Sequence, residues 1–240
     1  MSYHFKSPVR YSEIGEDYLL TVPAILDYFQ DCCTFQAESI GQGMKVLEER
    51  QRAWVLNSWQ IVIRKRPGLG QLLDVVTLPY EFRGFLGMRN FLLLDEYGEK
   101  LAWANSTWSN MNTATGLPER LTQTDTAGYI LDEKLDMEYA PRKIEVPESM
   151  SEEAPVEVQH HHLDTHHHVN NGQYVKLAMG YLPENADIRQ LRVEYRQQAL
   201  LGNVFYPMIL KEDSRFCVVF ASSPGNRDKH PYAVLEFSLV

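Results

Sequence analysis

The stretch "IVIRKRPGLG" (residues 61–70) is echoed by "RVEYRQQALLG" (residues 192–202), with Arg64 over Arg196 and Gly70 over Gly202. The echo extends to the order of elements, and that constrains the fold more than any single motif. In the first half an N-terminal strand precedes "VPAILDYFQDCCTFQAESI". There Pro23 suits a first helical turn, and Ile25, Leu26, Phe29, Cys32, Cys33 and Gln36 recur at helical spacing before Gly41 and Gly43. Two strands follow, broken at Pro67-Gly68, and then a hairpin turns at residues 96–99. The expected first half is strand, buried helix and four strands in meander order.

The second half repeats this order. "PVEVQHHH" reads as a strand, a helix is expected near residues 170–181, "IRQLRVEYRQQALLGNVFYPMILK" gives two strands, and "RFCVVFASSPGNRDKHPYAVLEFSLV" gives a hairpin. Tyr28 and Tyr174 fall at similar places in the two helices. Residues 113–155, with "PESMSEEAP", have the composition of a linker. These elements predict an α+β chain of two units, residues 1–140 and 141–240. Each unit is a curved antiparallel sheet wrapped around a central helix, a tandem hot-dog architecture.

Composition narrows the function. At 44% apolar and 23% charged, the 240 residues suit soluble globular packing. No apolar run approaches the roughly 18 residues that cross a bilayer, so no stable membrane insertion is expected. A net charge of -9 argues against nucleic acid as a partner. Cys32, Cys33 and Cys217 form neither a disulfide framework nor a zinc cluster. The first fifteen residues carry no apolar signal core, and a cytoplasmic location is expected.

The densest chemistry lies in "HHHLDTHHHVNNGQY" (residues 160–174), with six histidines around one acid. A metal site is one reading. If residues 160–162 lie on a strand, however, alternate rings point to opposite faces. No Cys or HExxH companion is present, so neither a metal nor a cofactor is expected. A polar loop feeding a helix N-terminus is the other reading. Asn170 and Asn171 suit helix-start roles, and Asp164 alone suits a turn or cap.

"DTHHHVNNGQY", "VEYRQQA", and "WVLNSWQIVIRKRPGLGQLLDVVT" followed by "GMRNFLLLDEYGEKLAWANSTWSNMN" together resemble the acyl-acyl-carrier-protein thioesterases of bacteria and plants. The resemblance runs over nearly the whole chain. It implies a tandem hot-dog fold and hydrolysis of fatty acyl thioesters of acyl carrier protein, ending chain elongation. It also implies that the first unit's helix and tryptophans shape an acyl tunnel. Asp164 and His168 match the family's catalytic Asp and His. His166 stands where the family has Asn, Gln198 where it has the water-activating Glu, and Ala199 where it has Cys. Asn170 and Asn171 would touch substrate. Glu194 shares a strand face with Gln198 by the two-residue period, yet sits about 13 Å along the strand.

Arg64, Lys65 and Arg66 form the densest basic run and are expected to receive the acidic carrier protein, unless they are a solvated strand end. A homodimer is a further expected assembly. Acyl-coenzyme A hydrolysis, and acyl binding without catalysis, are the alternatives on the same fold.

Overall fold

Thr21 opens the first long helix by accepting the Ala24 amide on its hydroxyl at 3.3 Å, with Pro23 in the first turn. The helix, α1 (Val22–Ser39), ends at Ile40, whose amide bonds back to Gln36 at 3.2 Å. Gly41 follows at φ +73°, which glycine adopts without a steric penalty. All six positions expected to face inward are buried. Phe29 meets Phe91 at 5.1 Å between ring centroids. Residues such as Phe29 and Ile25, fully removed from water, each contribute about 1.5–3 kcal/mol.

The computed structural model describes residues 2–184, 186–225 and 230–240. The chain divides into two units, Met1–Asn57 with Ile61–Tyr139, and Ser58–Gln60 with Ala140–Val240. In the first, β1 (Tyr3–Pro8) precedes α1, and a short α2 (Met44–Glu49) follows it. Then come β2 (Arg52–Ile63), β3 (Leu72–Arg83), β4 (Leu86–Asp95), β5 (Lys100–Asn112) and the two-residue β6 (Leu117–Pro118). The strand order is β1-β3-β4-β5-β2, with β6 paired to β5.

This corrects the expected meander. β3, β4 and β5 run as one, but β2 lies beyond β5, and β1 takes the position beside β3. The eight residues between β2 and β3 form a crossing rather than a hairpin. The amides of Arg64 and Lys65 both bond Leu101 O at 2.9 and 3.1 Å. Pro67 O accepts the Leu20 amide, and the Gly70 amide reaches Val9 O. The crossing therefore satisfies its backbone groups against β5, the approach to α1 and the end of β1 in turn.

The second unit holds β7 (Ser151–Glu152), β8 (Val156–Glu157), α3 (Asn171–Met179), β9 (Ile188–Tyr195), β10 (Val204–Lys211), β11 (Arg215–Ala221) and β12 (Ala233–Leu239). Its order is β7-β10-β11-β12-β9, with β8 paired to β10. This is the first unit's order again. The tip of the last hairpin, residues 226–229, lies outside the described residues.

The repeat holds bond by bond. Arg196 and Gln197 amides bond Tyr232 O as Arg64 and Lys65 bond Leu101 O. Ala199 O accepts the Val169 amide as Pro67 O accepts that of Leu20, and the Gly202 amide reaches Val158 O as that of Gly70 reaches Val9 O. Gly70 and Gly202 share φ +77°. Ahead of each helix a 3₁₀ turn (Tyr11–Glu13, His160–His162) leads into a tight loop, with Tyr18 and His167 at φ 62° and 61°. Matching the caps Thr21 and Asn170 sets Ile25 opposite Tyr174. Tyr28 falls one turn further on and donates its hydroxyl to Glu13 at 2.7 Å, so the two tyrosines are not equivalent.

Two further expectations change. The strand over "PVEVQHHH" shrinks to Val156–Glu157, because His160–His162 coil into the 3₁₀ turn. The supposed linker is a packed strap over residues 140–150. Ile144 is 1% exposed and joins Met208, Cys217, Val219, Ala221 and Val234, with Val146 and Met150 against them. Alternation along β11 explains this. Phe220 faces Tyr174 of α3, while Cys217, Val219 and Ala221 face the strap. Glu194 Oε2 accepts the Ile144 amide at 2.9 Å and Arg196 Nη2 at 2.8 Å, and Arg196 Nη2 donates to Ile144 O at 2.9 Å.

Candidate active site

The loop between the 3₁₀ turn and α3 is tied by one carboxylate. Asp164 Oδ1 accepts the amides of His166 at 2.8 Å and His168 at 3.2 Å. Its own amide donates to His168 O at 2.8 Å, and its carbonyl accepts the His167 amide at 3.1 Å. A short side-chain acceptor lets the chain reverse with no neighbouring element, which is why Asp suits this position. Leu163 and Val169 close the loop as a β-bridge. His167 takes the left-handed conformation, while His166 and His167 are exposed and His168 is half-buried.

Asn170 caps α3. Its Oδ1 accepts the Gly172 amide at 2.8 Å, and its amide bonds His162 O at 2.9 Å. Its side chain thus serves the helix. Asn171 is the first helical residue, and its carbonyl accepts the Tyr195 hydroxyl at 3.0 Å. Tyr174 is core, in ring contact with Tyr195, Phe205 and Phe220. Burial, then Tyr232, pushes its hydroxyl pKa up, so it remains a neutral phenol.

Gln198 is exposed and lies past the end of β9, on the crossing. The shared acceptor Tyr232 O for residues 196 and 197 breaks the two-residue alternation there. The expected common face of Glu194 and Gln198 therefore does not extend that far, and Glu194 is committed to the strap. The Val169–Ala199 bond at 2.9 Å sets Gln198 next to the point where crossing and loop join. The structure thus gathers Asp164, His166, His168, Asn170 and Asn171 on one loop and helix start, with Gln198 on the segment bonded to it.

Arg64, Lys65 and Arg66 lie in the first unit and do not act alike. Arg66 is held by Asp17 and also reaches Leu20 O, whereas Arg64 and Lys65 are exposed, Arg64 being 3.7 Å from Glu99. Burial raises the thiol pKa values of Cys32, Cys33 and Cys217, the last to about 12, so none is a ready nucleophile. Among the described residues no three of His, Cys, Asp and Glu gather as metal ligands.

Sequence reasoning missed His162. It is 6% exposed, its Nδ1 accepts the Gln159 amide at 3.0 Å, and burial followed by His161 lowers its pKa. The matching position in the first unit is Glu13, whose carboxylate accepts the Arg10 amide at 2.8 Å. Aligning the two 3₁₀ turns would have found it.

Residues 1–129, more than half of the chain, match the family described as the acyl-ACP thioesterase N-terminal domain. The chain is 25% identical over 233 residues to the chloroplastic acyl-[acyl-carrier-protein] hydrolase FATB3 of Cuphea viscosissima, covering 90% of this chain and 56% of that protein. It is 24% identical to the dodecanoyl-[acyl-carrier-protein] hydrolase of Cinnamomum camphora over 215 residues, covering 82% and 56%. The chain spans about half the length of the curated relatives it matches. In fold it is similar to an acyl-ACP thioesterase of Bacteroides thetaiotaomicron, with a TM-score of 0.88 at 21% identity over 100% of this chain and 98% of that one. It is also similar to the 12:0-ACP thioesterase of Umbellularia californica, with a TM-score of 0.82 at 18% identity over 100% and 97%. The family match over its first unit, on a fold repeated in its second, makes this chain a member of the acyl-ACP thioesterase family.

Proposed function

We propose that this chain hydrolyses fatty acyl thioesters of acyl carrier protein, releasing fatty acid and carrier thiol. Family membership supports the reaction class. The observation that carries it to a site is Asp164 bonding two loop amides at once, which fixes His166 and His168 ahead of a helix start. His168 would polarise the thioester carbonyl. The Asn170 cap occupies the Gly172 and Gln173 amides, leaving that of Asn171 as the first-turn donor toward an oxyanion. A thiolate leaves readily, so no strong acid need protonate it. The same proposal places the protein in the cytoplasm, working without metal or organic cofactor, with the carrier protein as partner and a homodimer as its assembly.

The test is thiol release from acyl-carrier-protein and acyl-coenzyme A substrates by wild type and Asp164→Ala. The expected result is turnover that prefers the carrier protein and falls about 10²-fold without Asp164. Tight acyl binding with no turnover on either substrate would overturn the reading in favour of a binding protein.

A further inference from the structure

Resting on the proposed hydrolysis, we infer that His166 is the base that activates water, with the Gln198 amide holding that water in place. The internal repeat carries this assignment. By the hydrogen bonds common to both units, His166 occupies the loop position of Asp17, and Gln198 occupies the crossing position of Arg66. In the first unit these two positions face each other, since Asp17 and Arg66 form an ion pair. The loop and crossing backbones are the same in the second unit, down to φ 62° against 61° at the loop tip and +77° at both crossing glycines. Positions 166 and 198 therefore face each other too. The chemistry differs. Arg66 spans the gap with a long charged side chain, whereas Gln198 is shorter and neutral, and its exposed position admits solvent. A water between an imidazole and a carboxamide replaces the ion pair.

Three other candidates make bonds within the fold. Asp164 Oδ1 carries two loop amides. His162 Nδ1 carries the Gln159 amide in a buried turn. Glu194 clasps the strap. A carboxamide cannot accept a proton, so Gln198 can orient the water but cannot deprotonate it. His166 remains exposed, on the loop that Asp164 shapes, and an imidazole is a base near neutral pH. The titratable groups on the elements around it are Asp164, His167 and His168 on its own loop, His160, His161 and His162 on the 3₁₀ turn, Glu157 on β8, Tyr174 and Lys176 on α3 and His230 beyond the crossing, whose carbonyl accepts the side-chain Nε2 of Gln197. On the crossing itself, Arg196 is bound to Glu194, and residues 197–203 carry no charge.

The step balances. Water oxygen bonds to the thioester carbon as its proton passes to His166. The tetrahedral intermediate then expels the thiolate as the C–S bond breaks, and the thiolate takes the proton back from the imidazolium. Acid and thiol are the products.

The experiment compares wild type, His166→Gln, His168→Gln, and His166→Gln combined with Gln198→Glu, measuring kcat against pH together with melting temperature. Wild type is expected to lose turnover on acidification, as the base takes up a proton and can no longer accept one from water. His166→Gln is expected to lower kcat about 10²-fold and abolish that acid limb, with KM and melting temperature unchanged. Adding Gln198→Glu should restore turnover, with the limb moved down toward about pH 4.3. An active wild type whose limb survives His166→Gln, or departs with His168→Gln instead, overturns the assignment while leaving the hydrolase reading intact. A wild type silent on every thioester overturns that reading first.

Discussion

The Glu194 carboxylate holds the Ile144 amide at 2.9 Å while pairing with Arg196 on the same oxygen. Its side chain is 8% exposed, so this pair lies largely out of water. Glu194→Ala would leave Arg196 half-buried without its partner. It is expected to cost about 3–5 kcal/mol, read from the urea midpoint. Proteolysis should then begin within residues 140–150, where the strap loses its anchor. An unchanged midpoint would show that the strap is held by Ile144 packing alone.

Gly70 and Gly202 give a matched pair. Neither would have a neighbour within 4 Å of an added Cβ, so the cost of alanine lies wholly in the left-handed backbone. Gly70→Ala and Gly202→Ala are each expected to destabilise by about 1–2 kcal/mol. Chemical denaturation of both variants checks whether the two crossings carry equal strain. A large difference between them would break the equivalence.

His162 should make stability sensitive to acid. Its neutral ring accepts a backbone amide, and burial holds its pKa below the ordinary value. The folded state therefore takes up its proton later than the unfolded chain does. The stabilisation is complete above about pH 6.5 and is lost as the pH falls through the depressed folded value. Melting temperatures across this range should fall more steeply for wild type than for His162→Asn, which keeps an acceptor and does not titrate. Parallel curves would assign the acid sensitivity elsewhere.

The basic run should separate by residue. Arg66→Ala removes the partner of Asp17 and is expected to lower the melting temperature with little effect on KM. Arg64→Ala with Lys65→Ala removes exposed charge. It is expected to raise KM for the carrier-bound substrate by roughly fivefold, about 1 kcal/mol, with KM for acyl-coenzyme A unchanged. Added salt should erase that difference. Equal changes on both substrates would place the carrier's landing surface elsewhere.

Much of this fold is legible in the sequence, because its signals are local. Thr21, Pro23 and Gly41 mark α1, and Gly98 marks the turn between β4 and β5. Strand order is less legible, because a crossing and a hairpin both display a Pro-Gly break. What separates them is which distant carbonyl accepts the Arg64 amide. The strap was hidden by its polar composition, although β11 advertised it. "RFCVVFA" has no alternation, and a strand apolar on both sides needs a cover on both. At the site, Asp164 and the helix cap were readable as turn chemistry. The inferred facing of positions 166 and 198 was not, since it depends on the register of two segments that meet at the Val169–Ala199 bond.

The two crossings have equal length and are pinned at corresponding points along their course. The placement of Gln198 against the loop is therefore metered by the number of peptide units. Such a site should absorb conservative exchanges of buried side chains and yet fail on the gain or loss of a single residue between Gln197 and Gly202. Here the gauge of the candidate site is the length of the crossing itself.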